Sequence, residues 1–340
     1  MEIDVQNLSF RSMRFFLLLF LLLWYRPHFS WGQIQKMERA QKAWLKSQEV
    51  EEVYFNSNLL RNQKSDTRQF HGFVSYRGKP KLLLVHGFSA SALMQYSNIM
   101  PALKRRYDVI AVDLRYHGET ISDSTDFSVE TQAEHVMEFM EALTLFYRDS
   151  SFLSFHILGH SYGGIVSGIL AERYPQRIQS LTLYDSPIIH YSSEKSDSLA
   201  RHLGVKDANE MLCPLTVHDL HARYKALLTH SFWAPRKMSE KFIEIYVIPY
   251  RSHQLRLIDY LRQNESRLGE HTYSWKMPVK VIWGSDDRLV PVEVAFEIQK
   301  LYKTGLKVFR GCGHSANIEK PRQFVRWVKH DLLSPIPKKF

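Results

Sequence analysis

The chain has 340 residues, 44% hydrophobic and 24% charged, which excludes disorder and a fibrous fold and leaves room for about two domains, or one large domain with an insertion. Only two cysteines occur, Cys213 and Cys312, which excludes a disulfide framework. Basic residues exceed acidic ones by 45 − 35 = 10, yet no nucleic-acid motif and no block of five like charges accompanies the excess, so it reads as solvated surface or a membrane-facing patch.

Residues 1–32 stand apart. Phe15 to Tyr25 is a run without charge, preceded by Arg11 and Arg14. A spanning helix needs about 20 apolar residues, whereas a secretory signal needs about 7–15 after a positive start. The run therefore reads as an export signal, with Ser30-Trp31-Gly32 before a cut at Gln33, or as an uncleaved membrane anchor; either makes the protein exported or membrane-associated. Residues 33–71 read as an amphipathic extension. Ile34, Met37, Ala40, Trp44 and Leu45 recur at helical spacing among Lys36, Arg39, Lys42 and Lys46. Such a helix lies on a membrane or packs on the domain.

From Gly72 short apolar runs alternate with amphipathic stretches. The sequence predicts strands at Leu82–Val85, Val109–Val112, Phe155–Leu158, Leu181–Tyr184, Val279–Trp283 and Leu306–Phe309. Between them it predicts a helix over Ala92–Arg105, one capped by Ser128, one over Ile165–Tyr174, one opened by Pro291 and one after Pro321. That alternation implies an α/β fold with a mostly parallel sheet, helices on both faces, and a core formed by 72–186 and 277–334. Residues 187–276 lack a convincing parallel strand. They are rich in aromatics, broken by Pro214, Pro235 and Pro249, and read as a helical cap inserted in the core.

The sharpest motif is Gly159-His160-Ser161-Tyr162-Gly163-Gly164, a G-x-S-x-G sequence between a strand and a helix. Glycines beside the serine permit a tight turn, and the helix N-terminus supplies N–H groups for an oxyanion. Ser161 is the candidate nucleophile. A hydroxyl needs a base, and of sixteen histidines His314 sits best, in the turn Gly311-Cys312-Gly313-His314 at a strand's carboxyl end. The histidine needs a carboxylate: Asp287 is favoured, with Asp185 and Asp286 as alternatives at strand ends. The amides of Tyr162, after the nucleophile, and of Phe88, in His86-Gly87-Phe88-Ser89, are the expected oxyanion donors. No HExxH or paired CxxC spacing implies a metal, and a serine triad needs no cofactor.

Together with Asp113-Leu114-Arg115-Tyr116-His117-Gly118 and Gly284 to Pro291, these motifs resemble the α/β-hydrolase superfamily, over about Gly72 to Leu333. Within it the chain looks most like bacterial lipases and esterases and the membrane-bound monoacylglycerol lipases. The resemblance aligns Asp287 with the family's acid and Phe88 and Tyr162 with its oxyanion donors. Tyr162 departs from the methionine common after the serine, and Tyr116-His117 from the usual Gly-His or Gly-Phe; both bear on substrate shape. The fold also hosts dehalogenases and epoxide hydrolases, which carry aspartate where Ser161 stands, so the serine points to acyl transfer to water. The expected function is hydrolysis of a carboxylic ester, a monoacylglycerol or a short-to-medium-chain ester, through an acyl-enzyme. The alternatives are carbon–carbon bond hydrolysis, amidase or aminopeptidase activity, and a non-catalytic binding protein.

Overall fold

A computed structural model describes residues 31–60, 67–189, 192–230 and 234–332. The apolar run Phe15–Tyr25, with its reading as a signal or anchor, lies outside the described residues. Among the described residues no helix is long and apolar enough to cross a membrane.

Among the described residues nine strands form one sheet: β1 Glu51–Asn56, β2 Thr67–Val74, β3 Lys81–Val85, β4 Asp108–Val112, β5 Ile121–Ser122, β6 Phe155–His160, β7 Ile178–Tyr184, β8 Val279–Gly284 and β9 Gly305–Phe309. The order is β1-β2-β4-β3-β6-β7-β8-β9, with β5 paired to β2. From β4 to β9 every pairing is parallel, while β1, β2 and β5 pair antiparallel at one side. The central strands β3, β4, β6, β7 and β8 are buried on both faces, so their apolar residues sort by parity. Leu83, Val85, Ile157, Leu183 and Trp283 pack against helices Val129–Tyr147, Tyr162–Arg173 and Glu293–Tyr302. Leu82, Leu84, Leu158 and Ile282 pack against helices Ala92–Tyr96, Met100–Leu103 and Pro321–His330.

The six expected strands are all present; β1, β2 and β5 were not expected, and β1 and most of β2 fall before Gly72, in the stretch read as an extension. β1 buries only Val53 and Phe55, as an edge strand with one wet face does, so its apolar signal is thin. β2 carries Gly72 because a Cβ there would sit 2.6 Å from the Ala111 carbonyl. The expected helix Ala92–Arg105 is two short helices. The first ends at Tyr96, and Pro101 falls in the first turn of the second, Met100–Leu103, where its missing N–H costs no helix bond. The basic helix is present as Trp31–Ser47. Ile34 and Leu45 are buried, and Leu45 joins the core beneath β3 and β4, so one face packs on the domain.

Between β7 and β8 the described residues form helices only: Ser193–His202, Ala208–Leu212, Val217–Leu227, Arg236–Phe242, a π turn Ile243–Val247, Ile248–Gln263 and Glu265–Glu270. The prolines punctuate them. Pro235 precedes one helix, and Pro249 opens the next just after the π turn.

Candidate active site

Ser161 stands alone between β6 and helix Tyr162–Arg173, with φ 53° and ψ −119°. Such backbone costs a non-glycine residue about 1–3 kcal/mol. It is held by the Ser161 N–H donating to Tyr184 O on β7 at 2.8 Å, and by neighbours that cannot carry side chains. A Cβ on Gly159 would lie 2.3 Å from Ser167 Oγ, and one on Gly163 2.3 Å from the His86 carbonyl.

His314 follows β9 and is buried. Its Nδ1–H donates to Asp287 Oδ2 at 2.7 Å. Asp287 follows β8, and its Oδ1 accepts the N–H groups of Leu289 and Val290, each at 2.9 Å. The carboxylate is thus fully engaged and fixes the imidazole with Nε2 as the other ring nitrogen. That Nε2 is buried and has no partner. The histidine's backbone is held from two sides: its N–H donates to Leu227 O at 2.8 Å, and the preceding Gly313 N–H donates to Glu319 Oε1 at 2.7 Å.

The other two carboxylates differ. Asp286 is exposed and accepts a bond from Ser285 Oγ. Asp185 is fully buried at φ 45°; its Oδ1 accepts the Gly284 N–H at 2.8 Å and its Oδ2 has no partner. Burial, then the nearby Asp287, pushes the Asp185 carboxyl well above the usual range, which favours its neutral form. Of the three expected acids, Asp287 alone hydrogen-bonds His314.

The loop after β3 comes right up to the serine: a Cβ on Gly87 would lie 3.3 Å from Ser161 Cβ. Gly87 N–H donates to Gln95 Oε1 at 2.9 Å, and Ser89 N–H to His117 Nε2 at 3.1 Å, which brackets the Phe88 amide between two tethers. Burial, helped by His86, lowers His117 to about 3, so its Nε2 stays an acceptor. Buried Arg223, from the helical segment, donates to Ser89 O and Ser89 Oγ. Tyr162 is the first residue of its helix, so its N–H has no intrahelical acceptor. The Phe88 and Tyr162 rings meet edge-on with centroids 5.9 Å apart.

Two cavities meet at Ser161, and Phe88, Leu212 and Leu289 border both. The larger is about 750 Å³ and is lined by Tyr162, Ile165, Ile258 and Leu261. The smaller is about 180 Å³ and is lined by His314, His160, Gln95 and Leu228.

Two groups of ligand-type side chains lie close together, His160–Asp185–His314 and Glu52–His71–Glu119. The first contains Asp185, whose neutral form burial favours, and the His314 already bonded to Asp287. In the second, the Lys42 ammonium already sits between Glu52 and Glu119. Sequence reasoning did not single out Gln95, Arg223 or Glu319. Each bonds a backbone group, of Gly87 for Gln95, of Ser89 for Arg223, and of Gly313 and Thr229 for Glu319; His117 lay in a motif already noted.

The alpha/beta hydrolase fold family matches residues 80–321. Monoacylglycerol lipase ABHD6 of Mus musculus is 28% identical over 277 residues, covering 76% of this chain and 79% of that protein. The 2-hydroxy-6-oxo-2,4-heptadienoate hydrolase of Pseudomonas putida is 28% identical over 264 residues, covering 76% of this chain and 90% of that enzyme. Among solved structures, the 2-hydroxy-6-oxo-6-phenylhexa-2,4-dienoate hydrolase of a Rhodococcus species superposes with a TM-score of 0.65 at 20% identity, over 82% of this chain and 97% of that one. With the Ser161 turn at the carboxyl end of a parallel sheet and the family match running from β3 to the last helix, the chain belongs to the α/β-hydrolase family.

Proposed function

We propose that the protein is a serine hydrolase of carboxylic esters, with Ser161, His314 and Asp287 as its triad and the Phe88 and Tyr162 amides as its oxyanion donors. The observation that carries this reading is the buried Asp287–His314 pair, with His314 Nε2 left without a partner and His314 lining the same cavity as the strained Ser161. His314 Nε2 takes the Ser161 proton as Oγ attacks the acyl carbon. The two amides hold the tetrahedral oxyanion, each worth about 3 kcal/mol of barrier. The protonated imidazole then gives its proton to the leaving alcohol. Water, activated by the same nitrogen, releases the acid.

A monoacylglycerol or a short-to-medium-chain ester is the proposed substrate. The mouse relative named a monoacylglycerol lipase supports this, as does a large cavity walled by Ile165, Ile258 and Leu261. Residues 187–276 act as a cap over the serine, on a core of 72–186 and 277–334, and residues 1–32 either export the enzyme as a signal or hold it at a membrane as an anchor. A second reading, carbon–carbon bond hydrolysis, is favoured by the Pseudomonas putida relative.

Hydrolysis of p-nitrophenyl esters from acetate to palmitate, beside Ser161→Ala and His314→Ala, tests the reading. Turnover that vanishes in both variants supports it. Turnover of 2-hydroxy-6-oxo-2,4-heptadienoate, with none on any ester, replaces it with the second reading.

A further inference from the structure

The excess of basic residues divides across the sheet rather than spreading over the surface. Helices Trp31–Ser47 and Pro321–His330 pack through Leu45, Phe324 and Val328 on one face, together with the short helices Ala92–Tyr96 and Met100–Leu103. Within their bounds these four hold seven lysines and arginines and one acid, Glu38. The three helices on the other face, Val129–Tyr147, Tyr162–Arg173 and Glu293–Tyr302, hold seven glutamates and two cations, Arg173 and Lys300. Packing a helix on a sheet needs only an apolar inward stripe, so nothing in the fold dictates the sign of the outward one.

The outward stripes are basic. Over residues 34–47 the exposed positions are Lys36, Arg39, Ala40, Ala43, Lys46 and Ser47, one stripe at helical spacing with no acid in it. On helix Pro321–His330 they are Arg322, Gln323, Arg326 and His330, again with no acid. Exposed Arg105 and Arg106 follow helix Met100–Leu103. They join the two stripes, for Lys104 Nζ donates to Gln48 O just beyond one helix and the Tyr107 hydroxyl to Val328 O in the other at 3.0 Å. Like charges crowd there: burial, then the neighbouring Arg105, lowers the Lys329 ammonium below its usual range. Among the described residues none of Lys36, Arg39, Lys46, Arg105, Arg106 and Arg326 forms an ion pair. Across the sheet, by contrast, Glu130, Glu134 and Glu172 pair with Arg267, Arg173 and His271.

Chain continuity selects the partner. Helix Trp31–Ser47 is entered from residues 1–30, which hold the uncharged run Phe15–Tyr25. An apolar run leads to lipid and not to nucleic acid, and a bilayer with acidic headgroups attracts every cation held within a Debye length of it. We propose that this basic helix layer docks on an anionic bilayer surface, with Lys46, Arg105 and Arg326 among its contacts, while the glutamate-rich face turns away. The inference does not depend on which bond the enzyme cleaves.

The test mixes the full chain with vesicles of phosphatidylcholine, and of phosphatidylcholine and phosphatidylglycerol two to one, and takes the ratio of the two partition coefficients. An apolar segment adds alike to both and cancels. Each cation near an acidic surface is worth about fivefold in partition, so the triple variant Lys46→Gln, Arg105→Gln, Arg326→Gln should lower the ratio about a hundredfold. The triple Lys206→Gln, Lys300→Gln, Lys303→Gln removes the same charge from elsewhere on the surface and should change the ratio by less than about twofold. Equal losses in the two triples would mean that net charge alone acts and would overturn the proposal, as would no loss in the first. A dye on Ser47→Cys reads the orientation with every charge in place, since Cys213 and Cys312 are buried. A headgroup quencher in the mixed vesicles should quench that dye and spare one on Leu145→Cys, which is exposed on the other face. Quenching of both alike, or of Leu145→Cys alone, would overturn the docking face. Duplex DNA bound more tightly than the mixed vesicles, and lost in the first triple, would put nucleic acid in place of lipid and overturn it too.

Discussion

The carbonyl of Leu227 accepts the N–H of His314 at 2.8 Å, so the end of a helix inserted between β7 and β8 fixes the backbone of the candidate base. Contact there is tight, since a Cβ on Gly313 would lie 2.8 Å from that same carbonyl. Arg223, one turn earlier on the helix, reaches the opposite wall and binds Ser89 O at 2.8 Å. One helix thus joins the histidine loop to the loop carrying Phe88, and disturbing it moves both halves of the site together.

Glu319 is the companion anchor on the core side. Its Oε1 accepts the Gly313 N–H at 2.7 Å and its Oε2 the Thr229 N–H at 3.0 Å. Hydrogen bonds to a charged acceptor contribute about 1.5–3 kcal/mol, and deleting it strands two donors. Glu319→Ala is therefore expected to lower stability by about 2–3 kcal/mol and to reduce kcat more than it changes KM. Glu319→Gln, which retains an oxygen for one donor, should fall between. Urea denaturation beside ester turnover reads both; an unchanged midpoint in Glu319→Ala would refute the anchoring role.

Asp287 and Asp185 should respond oppositely to the same change. Asp287 Oδ2 accepts from His314 Nδ1, so an amide there presents the wrong tautomeric partner, and a loss of about 10⁴-fold in kcat is expected. Burial pushes Asp185 toward its neutral form, and its Oδ1 only accepts the Gly284 N–H, a task an asparagine oxygen performs equally well. Asp185→Asn should keep nearly full turnover, whereas Asp185→Ala, with no acceptor for that buried N–H, should lose stability. A large kcat loss in Asp185→Asn would move the acid's role to Asp185.

Why the sequence reveals some of this and not the rest follows from how far each interaction reaches. The strand–serine–helix turn is legible within six residues, 159–164, because every close approach there demands a glycine, of Gly159 to Ser167, of Gly163 to Val85 and His86 on β3 and its loop, and of Gly164 to Ser186 after β7. The parallel strands are legible as continuous apolar runs. β1 is not, since a strand exposed on one face has only Val53 and Phe55 to advertise it. The choice between Asp287 and Asp185 was open because both end a strand. It turns on whether the following backbone folds back to donate, as Leu289 and Val290 do to Asp287. Gln95, Arg223 and Glu319 were invisible because their partners are backbone groups, which leave no mark in the sequence.

His71 gives the fold a pH dependence of its own. Burial disfavours its charge, but hydrogen bonds to Asp113 at 2.6 Å and Glu52 at 3.0 Å outweigh it and raise the imidazole from 6.5 to about 9. A raised folded value means the protonated form is favoured in the native state. Its stabilisation, about 3 kcal/mol at 1.36 kcal/mol per unit, is complete below pH 6.5 and is lost as pH rises through about 9. Unfolding free energies measured from pH 6 to 9.5 should decline in the wild type and decline less in His71→Gln. Parallel curves would show that His71 carries no such linkage.

Ser161→Gly and Ser161→Ala separate strain from chemistry. Both remove the hydroxyl, and both should abolish ester turnover. Only glycine relaxes the φ of 53°, releasing about 1–3 kcal/mol of backbone strain against about 1 kcal/mol of added unfolded-chain entropy. Ser161→Gly should therefore melt a few degrees above the wild type, while Ser161→Ala, still bearing a Cβ in the same conformation, should melt close to it. The ordering matters more than its size. If alanine stabilised as much as glycine, the cost at this position would come from burying the hydroxyl rather than from the turn. The argument that Gly159, Gly163 and the Tyr184 carbonyl together force Ser161 into its pose would then fail.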